Sequence, residues 1–153
     1  MSTVRMTNYS LDRYEYKDLV KVLAYYNFKK VVLIGGKKAL DASESLIRDA
    51  LENSEINILG SFIYGKDSTL DNVYKLRDKK EVQDADIIFA IGGGKAIDTC
   101  KVLGKIIDKK VFSFPTISSN CSAATALAVI YNNEGPFYAT TQKLPLPYIC
   151  LLT

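Results

Sequence analysis

Three consecutive glycines, then a lysine, then an aspartate three positions on make Gly92–Asp98 the segment best equipped for chemistry in this sequence. The residues before it, Asp86–Ile91, form an apolar run that reads as a buried strand. Those after it, Ala96–Ile107, repeat apolar residues at helical spacing. A strand therefore passes into a helix with almost no loop. Glycine permits so tight a turn and lets a ligand approach the backbone. The unpaired N–H groups of the helix start, with the positive end of its dipole, form a seat for an anion such as phosphate. Two phosphate motifs do not fit. The dinucleotide fingerprint needs a third glycine where Ile97 stands. The P-loop needs Ser or Thr after Gly-Lys, but Ala96 follows Gly94-Lys95 and Lys38 follows Gly36-Lys37. On spacing alone the glycines equally serve as the turn of any α/β unit. The alternative for Lys95 is a solvated first-turn residue, and for Asp98 a carboxylate favoured by the helix dipole.

A second group of interest follows Pro115. Thr116–Ala126, TISSNCSAATA, is rich in hydroxyl and small side chains and reads as a pocket-lining segment rather than a core element. Thr116 could equally cap a helix. Cys121 could equally be a small packed residue, and Tyr131, further on, could simply pack in a hairpin.

Composition narrows the chemistry. Histidine does not occur in the 153 residues, which excludes the usual His-based triads and most zinc or iron sites within this sequence. The three cysteines, Cys100, Cys121 and Cys150, lack metal-ligand spacing and read as reduced thiols of a cytoplasmic protein. A net charge of +3 is too small to indicate a nucleic-acid partner. The pairs Lys29-Lys30, Lys79-Lys80 and Lys109-Lys110 read as solvated helix-to-strand junctions. The first residues hold no apolar leader, and no run of about 18 apolar residues suggests a membrane span.

The elements that would position these groups alternate. Leu11–Tyr26 reads as a helix, Val31–Ile34 as a strand closed by Gly35-Gly36, Lys37–Glu52 as a helix and Ile56–Tyr64 as a strand. Leu70–Lys79 reads as a helix and Val111–Phe114 as a strand after the central unit. Leu127–Tyr131 with Phe137–Thr140 form a hairpin, and Tyr148–Leu152 a last strand. This order indicates an α/β fold, a Rossmann-like parallel sheet flanked by helices with a C-terminal hairpin, in one domain over 1–153. Because the sequence stops inside an apolar strand, it is expected to be the front part of a longer protein.

Three blocks then carry a resemblance. Gly92-Gly93-Gly94-Lys95-Ala96-Ile97-Asp98-Thr99, Phe114-Pro115-Thr116-Ile117-Ser118-Ser119 and Thr125-Ala126-Leu127-Ala128-Val129-Ile130-Tyr131 stand in the order and spacing of the iron-containing alcohol dehydrogenase superfamily. Within it the sequence resembles the glycerol dehydrogenase-like branch, over nearly its whole length from about Tyr9. The resemblance implies a nucleotide-binding α/β domain, followed in family members by a helical domain that holds a divalent metal. It implies an oxidoreductase that transfers a hydride between NAD or NADP and a small alcohol, polyol or 2-hydroxy acid. Gly93, Gly94, Lys95 and Asp98 would belong to the cofactor site, with the pyrophosphate on Gly93, Gly94 and Lys95. Thr116, Ser119 and Thr125 would offer hydroxyls, while Leu127 and Tyr131 would line the nicotinamide end.

Departures from the family pattern refine these expectations. Cys121 stands where glycerol dehydrogenases carry a substrate-contacting aspartate, which points toward a 2-oxo or 2-hydroxy acid. Gly36 stands where NAD-preferring members place an acid for the ribose hydroxyls, so with Lys37 and Lys38 following, NADP is not repelled. The family's metal ligands are a carboxylate, at about the position of Thr153, and two histidines of the helical domain. No metal ligand is therefore expected here, zinc or iron only in a longer form, and the chain alone is expected to be inactive. The expected partner is a small-molecule substrate, without nucleic acid or membrane, in a homo-oligomer. The alternatives are a stand-alone nucleotide- or phosphate-binding module and a flavodoxin-like regulator.

Overall fold

A computed structural model describes residues 9–12, 16, 18–116, 122–125, 127–132, 135–140 and 148–152. Six strands make one parallel sheet: β1 (Tyr9–Asp12), β2 (Lys30–Gly35), β3 (Asn57–Ile63), β4 (Ile87–Gly92), β5 (Lys110–Pro115) and, last in the chain, β8 (Tyr148–Leu152). Their order is β1-β8-β5-β4-β2-β3. The helices are α1 (Leu19–Tyr25), α2 (Lys37–Leu51), α3 (Leu70–Arg77), α4 (Lys80–Asp84) and α5 (Gly94–Ile106). A 3-10 turn spans Ser122–Ala124, and β6 (Ala128–Asn132) with β7 (Gly135–Thr140) forms an antiparallel hairpin. The α/β sheet with its C-terminal hairpin is the architecture that the alternation of elements indicates.

The strand alternation sorts two cores onto the two faces of the sheet. Val32, Ile34, Ile88, Ala90 and Val111 point toward α3, α4, α5 and β6. Val31, Leu33, Ile87, Phe89, Ile91, Phe112 and Phe114 point toward α1 and α2. Because β2 and β4 are covered on both faces, they read as unbroken apolar runs, as central parallel strands do. Phe89 stacks on Phe112 with ring centroids 5.7 Å apart and tilts against Phe114 at 4.8 Å. The lower end of the sheet is fastened by Asp86, whose carboxylate accepts the backbone N–H groups of Lys29 and Lys30, both at 2.8 Å.

Several boundaries differ from the sequence reading, three of them with a clear physical cause or consequence. Leu11 and Asp12 belong to β1, and the first helix starts only at Leu19, because the segment pairs with β8 from the far end of the chain. The stretch 70–79 closes at Arg77, where the Lys79 N–H donates to the Leu76 carbonyl. Lys79 is then extended and opens the separate helix α4, so Lys79-Lys80 joins two helices rather than a helix and a strand. The helix after the glycines begins at Gly94, two residues earlier than the apolar pattern suggests.

Among the described residues no helix is long and apolar enough to cross a membrane.

Candidate functional site

The chain runs from β2 through α2 to the edge strand β3, then crosses back so that β4 lies on the other side of β2 and β5 beyond it. The order of strands reverses between β2 and β4, with α2 on one face and α5 on the other. At such a switch point the loops leaving neighbouring strands diverge and open a crevice above the carboxyl ends.

Glycine shapes both walls. A Cβ on Gly35 would lie 2.3 Å from the carbonyl oxygen of Ile91, so only glycine lets the two strand ends meet this closely. The Gly36 N–H donates to that same carbonyl at 3.3 Å, and Gly36 caps α2. On the other wall Gly92 has φ +139°, a conformation that favours glycine, and Gly93 is the N-cap of α5. The Gly92 carbonyl accepts the N–H of Thr116 at 3.1 Å, which places Thr116 beside the turn.

Between these walls lies an open cavity of about 900 Å³, at the upper end of the range for small-molecule and cofactor sites. Gly93, Gly94, Lys95 and Asp98 line it, and so do Thr116, Thr125, Leu127 and Tyr131. The structure thus gathers eight of the ten candidate residues around one space, although they lie on three separate stretches of chain. Ser119 and Cys121 lie outside the described residues. Gly36, Lys37 and Lys38 line the opposite side.

Polar groups in the cavity fall into two sets. Lys95, half exposed, donates to the Asp67 carboxylate, and its Nζ stands 5.2 Å from the centre of the Tyr131 ring. The hydrogen bond to Asp67 raises the Lys95 pKa above its ordinary value, so the ammonium is held charged. Tyr64 lines the same wall, its hydroxyl donating to the Lys66 carbonyl at 3.3 Å. Burial raises its pKa against the opposing charge of Lys95, and Asp67 adds to the rise. Asp67 is carried by a braced loop: the Asn72 side chain donates to the Asp67 carbonyl at 2.8 Å, and Thr69 caps α3. The Tyr131 N–H donates to the Ser68 carbonyl at 2.7 Å, fastening β6 to the same loop.

The second set is buried. One Asp98 carboxylate oxygen accepts from Ser122 Oγ and lies 3.5 Å from Lys101 Nζ; the other accepts the Val129 N–H at 3.0 Å. Lys101, 1% exposed, also donates to the Leu127 carbonyl at 2.7 Å and to Ser122 Oγ at 3.4 Å. Asp98 thus borders the cavity while its carboxylate is engaged by protein. Sequence reasoning did not single out Tyr64, Asp67, Lys101 or Ser122. The spacing Asp98-x-x-Lys101 inside the largely apolar run from Ala96 to Leu103 was the available signal, since charged residues on a buried face must pair.

A parallel α/β sheet with a glycine-walled crevice at its switch point defines a class of ligand-binding domains. A family model for iron-containing alcohol dehydrogenase matches residues 7–153, and the chain belongs to that family of oxidoreductases. Among its relatives are a glycolaldehyde reductase of Halobacterium salinarum and a glycerol dehydrogenase of Escherichia coli. They are 28% and 29% identical to the chain over 106 residues, which is 69% of it in each case. The chain spans 29% of the length of each of these curated relatives. A crystal structure of an iron-containing alcohol dehydrogenase matches the fold with a TM-score of 0.85 at 17% identity, covering 99% of the chain and 47% of the other.

Among the described residues no group of three or more His, Cys, Asp or Glu side chains could hold a metal ion. The described residues therefore do not supply a donor set for the family's metal.

Proposed function

We propose that residues 1–153 form the dinucleotide-binding domain of an NAD(P)-dependent oxidoreductase that interconverts a small alcohol, polyol or 2-hydroxy acid with its carbonyl form. The observation that carries this reading is the convergence of the glycine turn, Lys95 and the hydroxyls of Thr116 and Thr125 on one cavity at the switch point. The nicotinamide supplies the hydride chemistry when bound, and the protein supplies binding and orientation. The first-turn N–H groups of α5 have no partner within the helix and point where a pyrophosphate would sit. Lys95 reaches the same place once it exchanges Asp67 for phosphate. Thr116, Thr125 and Ser119 offer hydroxyls along the cofactor, Asp98 braces the wall from behind, and Leu127 and Tyr131 flank the nicotinamide.

Small hydroxylated substrates are supported by the names of the relatives, glycolaldehyde reductase and glycerol dehydrogenase. Cys121 is proposed to face the substrate, and a thiol in place of a carboxylate suits an anionic 2-hydroxy acid. Location in the cytoplasm and assembly into a homo-oligomer belong to the same proposal.

The test is calorimetric titration of the chain with NADH and NADPH, alongside the Gly94→Val variant. A branched side chain at Gly94 blocks the approach of pyrophosphate to the helix start. The expected result is binding by the native chain and at least about tenfold weaker binding by the variant, near 1.4 kcal/mol. Equal affinities in the two proteins would remove the phosphate from this turn.

A further inference from the structure

We infer that Lys101 is a positioning residue that holds the segment from Ser122 to Leu127 in the shape that receives the nicotinamide half of the cofactor. The inference rests on the dinucleotide reading above and adds a specificity role to a residue that does not touch the ligand.

An ammonium is costly to bury unless its donors are matched. Lys101 has three donors, and among the described residues its Nζ lies within 3.5 Å of the Leu127 carbonyl, Ser122 Oγ and the Asp98 carboxylate. The Ser122 and Leu127 oxygens lie at the two ends of the stretch from Ser122 to Leu127. Asp98, one helical turn earlier, grips the same places, accepting from Ser122 Oγ and from the Val129 N–H just beyond Leu127. One turn of α5 therefore clamps both ends of the segment through its main chain and its first hydroxyl. Thr125 lies inside the clamp.

What the clamp presents is an apolar surface. With its carbonyl turned inward to Lys101, the Leu127 side chain is left 56% exposed and lines the cavity. A leucine so exposed gains nothing for the fold, but an apolar ligand surface laid against it would be removed from water. The shortest of these Lys101 contacts, Nζ to the Leu127 carbonyl at 2.7 Å, fixes this residue's main chain. The phosphate end has supports besides the clamp, since the glycine turn and Lys95 are also held by β4, β2 and Asp67. Loosening the clamp should therefore cost affinity chiefly at one end of a dinucleotide.

The experiment compares NADH with ADP-ribose, which keeps the pyrophosphate and adenosine but lacks the nicotinamide. Dissociation constants for both are measured by calorimetry for the native chain, Lys101→Met and Lys101→Gln, with thermal melts alongside. Lys101→Met removes every donor; Lys101→Gln keeps an amide NH2 group with two donors on a shorter side chain. NADH should weaken about tenfold in the Met variant and by less in the Gln variant, while ADP-ribose stays within about twofold in both. If the Met variant does not fold, the Gln variant carries the comparison. Equal weakening of both ligands would make Lys101 purely structural and overturn the inference, as would unchanged NADH affinity. If the native chain binds neither ligand, the dinucleotide reading itself fails.

Discussion

The molecule contains two strand–glycine–helix units, β2 to α2 and β4 to α5, and they solve different problems. The first is a surface unit. α2 buries Leu40, Ser43, Ile47 and Leu51 along one stripe and leaves the rest to water, with exposed ion pairs between Lys37 and Asp41 and between Arg48 and Glu44. The second is interior. Every residue of α5 from Ala96 to Gly104 is buried, because the helix is enclosed by the sheet on one side and by α3, the 3-10 turn and β6 on the other. Burial all round forces the polar residues of α5 into pairs, and those pairs reach out to the segment beside the cavity. A helix that is half solvated can afford to be generic, whereas an enclosed one becomes the point from which neighbouring loops are fixed.

The glycines differ in kind as well, and the largest expected effect comes from separating them. Gly35→Ala puts a methyl group 2.3 Å from the Ile91 carbonyl oxygen, which only a parting of β2 and β4 can relieve. A loss of about 3 kcal/mol is expected in urea unfolding. Gly36→Ala meets nothing closer than Tyr64 Cε1 at 3.8 Å, in an extended conformation that alanine adopts. Its effect should stay within about 0.5 kcal/mol. Equal effects at the two positions would mean that the strand ends do not depend on this close approach.

A second measurement probes the enclosure of α5. Cys100 lies fully buried against the Ile34 carbonyl, and burial raises its thiol pKa far above the ordinary 9.0. The folded chain therefore keeps the proton while the unfolded chain loses it. The stabilisation is complete below pH 9 and is lost as pH rises toward the elevated folded pKa. Between pH 9 and 10 the native chain should lose up to about 1.4 kcal/mol more than Cys100→Ala. Parallel stability curves for the two proteins would show that the thiol is hydrated.

A modest effect, on ligand choice rather than stability, is expected at the entrance of the outer unit. A carboxylate introduced by Gly36→Asp would accept from ribose hydroxyls and repel a 2′-phosphate. The ratio of NADPH to NADH dissociation constants should rise several-fold, on the order of 1 kcal/mol. An unmoved ratio would place the adenosine end elsewhere.

The sequence by itself determined the alternation of elements, the buried character of β2 and β4, the glycine turn before α5 and membership of the family. These are legible because each is local: apolar runs, helical spacing and the special freedom of glycine act over a few residues. It also supplied most of the residues that line the cavity, through three short blocks whose types suit phosphates and hydroxyl contacts. Only the tertiary structure decided that Tyr9–Asp12 is a strand, since its partner β8 lies at the other end of the chain. Likewise, only folding brings Asp67 to Lys95 and Lys101 to the Leu127 carbonyl. A lysine in a helix reads as a surface residue until the neighbours that bury it are known. The cost of leaving its charge unmatched then dictates which distant oxygens it must hold.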